Sequence, residues 1–353
     1  LLAMLAGAGV AMALAPYRWS GSFYVGGLSC VTILTHLVLV ANKALDTSAI
    51  PWGYWGRETH HADLGYAACQ AVILLVASWL AAKKPPKLAI VLLVIACLAS
   101  TALARSRAGF SFGVLGAVLV FVIAALSRSG VKKAPLLLGL GGLFLVAAVV
   151  FGIAAKNDER WQYMESNLVA GWLGDPLKLQ CEGTASVEAQ IKSMYGDGEL
   201  ADRAIASVKD GDGSRVVLFR AGAQLAMSHP WGLDGSRQAY KKVLRSECPE
   251  PASYMAHVHN GWVDTALAIG WLGVLLYLWV FMHFIVTGYK ALHASNQLNE
   301  WAIVLVTFSV FWMFRAFTDS VYRDHMFEMQ GFVLSYAYFA LKSNQRMFAT
   351  AAP

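Results

Sequence analysis

Charge is what this sequence has least of. Only 14% of its 353 residues are Asp, Glu, Lys or Arg, against about 25% in soluble domains. With 57% hydrophobic residues and a mean hydropathy of +0.51, that scarcity excludes a soluble globular protein. Internal repeats and low-complexity tails are also missing, which counts against a transporter built from inverted repeats. The formal net charge of +6 comes without a zinc-finger or other nucleic-acid signature, so no nucleic-acid partner is expected. In a membrane protein such an excess reflects orientation and contact with anionic lipid. The opening run, Leu1 to Ala15, has no basic n-region and no convincing cleavage site. It is read as a span rather than a signal peptide.

What the sequence does have is long apolar runs. A spanning helix needs roughly 20 apolar residues. Such runs recur at residues 1–16, 22–42, 64–82, 88–104, 108–127, 134–154, 262–288, 299–317 and 326–343, or about nine spans. They are continuous rather than alternating, so helices and not barrel strands are expected. The fold class is therefore an all-α polytopic membrane protein, a multi-span helical bundle. Lys83, Lys84 and Lys87 crowd one short loop, Arg128, Lys132 and Lys133 another, and Lys342 and Arg346 follow the last run. Counted this way, all three clusters fall on one side, which the positive-inside rule makes cytoplasmic. The first span then runs inward, and the chain is expected to be a trimmed one, with about twelve spans in full.

Three regions follow: residues 1–154, an N-terminal transmembrane bundle; 155–261, an extracytoplasmic helical insert; and 262–353, the C-terminal transmembrane helices. The insert is too long for a connector. Within it, Arg215 to Met227 reads as a helix ended by the turn His229-Pro230-Trp231-Gly232. Asn260 is a candidate N-cap for the next span. Cys30, Cys69 and Cys97 lie inside spans, where they read as small apolar side chains. Cys181 and Cys248 are the two cysteines of the insert, a candidate disulfide in an oxidising compartment.

The polar residues of the outer side share one chemistry. Arg105, Arg107, Arg215 and Arg220 are permanently charged forks suited to a lipid diphosphate, and they would also stabilise the charge developing on a departing one. The duller alternatives are snorkelling for Arg105 and Arg107 and ordinary surface charge for Arg215 and Arg220. Arg215 and Arg220 lie five apart, about 140° around a helix, so both reach one phosphate only if the helix ends or bends between them. His257 and His259 stand where a loop meets a span, with Asp264 one turn further in. Histidine accepts and returns a proton near neutrality; the alternative is a pair that only caps the junction. Two histidines alone supply no third metal ligand at diagnostic spacing, so no metal and no cofactor are expected. Arg315, Asp319, Arg323, Asp324 and His325 follow another junction. The aromatics of 51–61, ahead of His60 and His61, read as an interfacial belt or as sugar-stacking groups.

Three elements in order resemble those of the bacterial O-antigen ligases, within the wider family of O-antigen ligases, polymerases and protein O-oligosaccharyltransferases. Thr101 to Gly109, with Ser106-Arg107 inside it, is similar to that family's Ser-Arg element. Ser214-Arg215 followed by His229-Pro230-Trp231-Gly232 is similar to its periplasmic Arg…Pro-x-x-Gly element. His259-Asn260-Gly261-Trp262 followed by Gly270-Trp271-Leu272-Gly273 is similar to its His-Asn…Gly-x-x-Gly element. Leu233-Asp234-Gly235 and Trp262-Val263 depart from the usual pattern and leave the acceptor's identity open. The resemblance implies a metal-independent, inverting transfer from undecaprenyl-diphosphate-linked O-antigen to a lipid A-core acceptor, in the bacterial inner membrane with a periplasmic site. It implies His259 and Arg215 as the catalytic pair, Arg215 facing the diphosphate and His259 either the base for the acceptor hydroxyl or a hydrogen-bonding partner of the diphosphate. Arg107 takes a supporting role, and Arg220, Arg105 and His257 are further candidates for substrate binding. Polymerase and protein O-oligosaccharyltransferase remain alternatives, and a lipid-linked glycan transporter is a more distant one.

Overall fold

In the computed structural model, residues 2–14, 21–55, 61–82, 84–127, 133–252, 255–294, 297–322 and 324–350 are described. Among them all regular structure is helical. Lys83, Arg128, Lys132, Arg323 and His60 lie outside the described residues, as do the side chains of His61, Lys133, Asp324, His325 and Arg346.

The chain divides into two compact units, one of residues 1–158, 281–311 and 328–353, the other of 159–280 and 312–327. The first unit opens with α1 (Leu2–Leu14), α2 (Ser22–Thr47), α3 (His61–Ala81), α4 (Lys87–Leu103), α5 (Arg107–Leu126) and α6 (Lys133–Asn157). Helix α3 is its centre: Ala71, Val72, Ile73, Leu74 and Leu75 are all fully buried, as in a helix covered on every side. Helix α6 is the opposite case. Leu137, Leu138, Leu145 and Val149 are more than half exposed, and only 11% of its apolar window is buried, against 78% in α3. Apolar surface on that scale needs a non-aqueous neighbour. Among the described residues, five helices are long and apolar enough to cross a membrane: α2, α3 from Ala62, α5, α6 from Leu136, and Gly261–His293. The protein is thus an all-α, multi-span membrane protein.

Small residues bring α3 and α5 together. A Cβ on Gly109 would stand 2.5 Å from the Cα of Gly65, so neither position has room for a side chain. Just before it, α4 ends in a Schellman turn: Ser106 N–H donates to Thr101 O (2.8 Å) and Arg105 N–H to Ala102 O (2.9 Å). Arg105 holds the left-handed position of that turn (φ 52°), where glycine is the usual occupant.

The second unit begins with a 3-10 turn, Glu159–Trp161, and six short helices: α7 (Met164–Gly171), α8 (Pro176–Glu182), α9 (Ala185–Tyr195), α10 (Glu199–Lys209), α11 (Asp212–Ser228) and α12 (Ala239–Glu247). Their core joins Ala170, Leu179, Val187, Ile191 and Val217 to one stripe of α10, Ala201, Ala204, Ile205 and Val208, at helical spacing. Asp175 caps α8 by accepting from the N–H groups of Leu177 and Lys178, both 2.9 Å. Cys181 in α8 is bonded to Cys248 at the end of α12, with Cα atoms 5.7 Å apart. The bond closes a loop of 67 residues. Cys181→Ser should therefore lower stability by about 2–4 kcal/mol, seen as an earlier melting transition that dithiothreitol reproduces in the unmutated protein.

Three longer helices complete the chain: α13 (Gly261–His293), α14 (Glu300–Arg315) and α15 (Asp324–Thr350). Helix α13 breaks at Gly270, whose φ of 78° and ψ of 173° are not helical. A break in a helix frees backbone groups that must find other partners. Here the turn after α11 supplies them. Leu233 N–H donates to Leu267 O (3.0 Å) and Gly235 N–H to Ala268 O (2.8 Å), while Trp271 N–H donates to Pro230 O (3.0 Å). The Pro-Trp-Gly turn and the Gly-Trp-Leu-Gly segment are thus two halves of one junction.

Candidate functional site

The start of α13 and the end of α14 are sewn together by backbone groups that neither helix satisfies internally. Asn260 is the N-cap: its Oδ1 accepts from Val263 N–H (3.0 Å) and its Nδ2 donates to Phe317 O (3.0 Å). Gly261 N–H is shared between Ala316 O (2.7 Å) and Asp319 O (2.9 Å), and Trp262 Nε1 donates to Met313 O (3.1 Å). These bonds bring residues 315–320 beside residues 257–264.

His259 sits at the seam in left-handed backbone (φ 55°). A non-glycine residue held there is strained, and such strain collects at functional positions. Its Nδ1 is 3.4 Å from Asp319 Oδ1. Asp319 Oδ2 in turn accepts from Arg315 (2.9 Å), which also donates to Thr318. Arg315 is only 6% exposed, so the guanidinium is a fixed charge that anchors the carboxylate. With the proton on Nδ1 toward Asp319, His259 keeps Nε2 as a base. This His–Asp–Arg chain joins positions 60 residues apart, and nothing in their spacing announces it. The signal available in sequence was Arg315 and Asp319 four apart at the end of an apolar run.

His257 stacks obliquely on His259, ring centroids 4.4 Å apart. His257, His259 and Asp319 each bring one possible ligand atom to within 4.8 Å of the others, which adds the third ligand missing from the sequence pattern. The guanidinium already paired with Asp319 opposes a cation at that carboxylate, since the two positive charges would stand side by side. The donor set fits proton transfer and the holding of an anion better than it fits a metal.

The four arginines part company. Arg215 lies in the first turn of α11 and is exposed; it has no carboxylate partner among the described residues. Arg220, on another face, donates to Gly171 O (3.1 Å), Leu173 O (3.3 Å) and Gly174 O (2.9 Å) and lies 5.4 Å from the Trp172 ring. Its fork clasps the turn between α7 and α8. Arg105 and Arg107 belong to the first unit. Arg105 is exposed on its Schellman turn, with its stem along Gly53, and Arg107 is half-buried as the first residue of α5.

Asp264 ties the histidine loop to its surroundings. It accepts from Val258 N–H (3.2 Å), the residue between the two histidines, and from the hydroxyl of Ser320, the neighbour of Asp319. Behind it, burial pushes the Tyr240 phenol well above its ordinary pKa, with the Asp264 charge adding to the effect.

A family model described as O-antigen ligase matches residues 89–278, more than half of the chain. No curated protein and no solved structure matches it.

Proposed function

The chain belongs to the O-antigen ligase family, and from that premise we propose that it transfers a finished polysaccharide from undecaprenyl diphosphate to a sugar hydroxyl of lipid A-core. Membership supports an enzymatic, glycosyltransferase-like role in O-antigen assembly; the donor, the acceptor and the inverting course are our reading. His259, strained, backed by Asp319 and Arg315 and adjoining a span, carries it. We read the nine apolar runs of the chain as spans, the enzyme as resident in the bacterial inner membrane, and residues 155–261 as facing the periplasm.

The acceptor hydroxyl oxygen attacks the anomeric carbon from the face opposite the diphosphate, and the carbon–oxygen bond to the diphosphate breaks. His259 Nε2 takes the hydroxyl proton, and its imidazolium is stabilised by Asp319. Arg215, open to ligand, faces the diphosphate and neutralises the charge growing on it. Alignment matters more than base strength, because diphosphate is already a good leaving group. Arg220 acts in this scheme as a positioning residue, holding the α7–α8 turn against α11.

Purified protein given glycan-linked undecaprenyl diphosphate and lipid A-core, with a chelator present, should form the lipid A-linked glycan at the rate seen without chelator. Longer lipid-linked glycan as the sole product would mean a polymerase. Glycan moved across the bilayer without a covalent product would mean a transporter. Loss of transfer with chelator, restored by one divalent ion, would return the His257–His259–Asp319 cluster to the metal reading.

A further inference from the structure

Beside the histidine loop, and wholly within the second unit, is a cleft of about 140 Å³. That is smaller than the pockets that enclose drug-sized ligands, about 300–1,000 Å³, so its occupant is a single ring rather than a run of sugars. Its wall includes Ser236, Arg237, Asp264, Ile269, Tyr277 and Tyr322. Part of the lining is aromatic: the Tyr277 and Tyr322 rings are 5.0 Å apart, and Trp262 meets Tyr322 edge-on at 5.0 Å. The rest includes a guanidinium, a hydroxyl and a carboxylate. Rings together with hydrogen-bonding groups match the two-sided surface of a pyranose, which has an apolar face of C–H groups and an equator of hydroxyls.

The cleft is built rather than incidental. Its floor runs along Ala268 and Ile269, where α13 breaks at Gly270 and the carbonyl of Ala268 is taken by Gly235 N–H. Asp264 is fixed in orientation by Val258 N–H and the Ser320 hydroxyl, so it meets a ligand already positioned. Those same bonds tie Asp264 to Val258, which precedes His259, and to Ser320, which follows Asp319. Burial raises the Tyr322 phenol well above its ordinary pKa, with Tyr277 adding to the shift, so the ring stays uncharged.

Resting on the transfer reading above, we infer that this cleft is a saccharide subsite that seats one sugar ring beside His259, with Tyr277 and Tyr322 against its apolar face and Asp264 and Arg237 on its hydroxyls. The ring belongs either to the acceptor core or to the first sugar of the donor glycan.

The test is ligand-observed NMR on the full chain in detergent, with delipidated core oligosaccharide in one arm and delipidated O-antigen glycan in the other. Tyr277→Leu keeps apolar bulk and removes the stacking face; Arg237→Ala acts on an exposed turn and leaves the core untouched. Saturation transfer to one oligosaccharide, weakened about tenfold in each variant at unchanged melting temperature, supports the subsite and names the ring's source. Binding of neither oligosaccharide by the unmutated protein overturns it, as does binding that both folded variants retain in full. Since no turnover is required, a protein that binds sugar here but transfers no glycan would sink the ligase reading and leave the subsite standing.

Discussion

Replacing His259 with alanine should lower the turnover of glycan transfer by about 10²–10⁴-fold, with the protein still folded. Two features separate this histidine from a capping residue. Its backbone is left-handed, a conformation that another residue would adopt more cheaply if only chain geometry were needed. Its Nδ1 also faces Asp319, which Arg315 holds from the other side. Asp319→Asn should therefore reduce turnover too, by less, because Arg315 and the backbone of residues 316–320 remain to shape the seam. Measured under saturating donor and acceptor, both losses should fall on kcat rather than on KM. Should a folded His259→Ala protein keep turnover within a factor of about three of the original, His259 is not the base, and the diphosphate leaves without its help.

Gly270→Ala should be one of the most damaging single-methyl additions among the described residues. The backbone there occupies a region reserved for glycine, at a cost of about 1–3 kcal/mol for other residues. The added Cβ would lie 2.6 Å from Trp231 C, 2.7 Å from Trp231 O and 2.8 Å from Pro230 O. Backbone cannot swing aside as a side chain can, so overpacking adds about 1–3 kcal/mol more. Its counterpart Gly232, at φ 73°, would put a Cβ 2.3 Å from Gly270 N, so Gly232→Ala should act alike. Separating the two glycines would also strip the carbonyls of Leu267 and Ala268 of their partners. Thermal unfolding in detergent checks this. Gly141→Ala is the control: it is a helical position with nothing within 4 Å of its Cβ, where alanine should be neutral or stabilising by about 0.5–1 kcal/mol. Equal melting temperatures for Gly270→Ala and Gly141→Ala would refute the junction's importance.

Much of this protein is local, and so its sequence shows it. Hydropathy is a property of each segment alone, and helices occupy all nine apolar runs. Asn260 as an N-cap and Pro230 as the start of a turn are decided within four residues of themselves. The insert was less legible. One of its helices, at Arg215 to Met227, stood out; the other five are 7–11 residues long and take their stability from mutual packing, which no single segment displays.

What the sequence determined by itself is the class of molecule: a chain too apolar for water, whose backbone must close its hydrogen bonds within helices, with histidines and arginines gathered at the ends of spans. Tertiary structure alone decided which of those groups meet. It set Asp319 against His259, turned Arg220 to the carbonyls of 171–174, left Arg215 open, and locked Gly232 onto Gly270. The reason is one of range: burial and helix formation sum over neighbours in the chain, whereas a side chain's partner is fixed by the packing of distant segments.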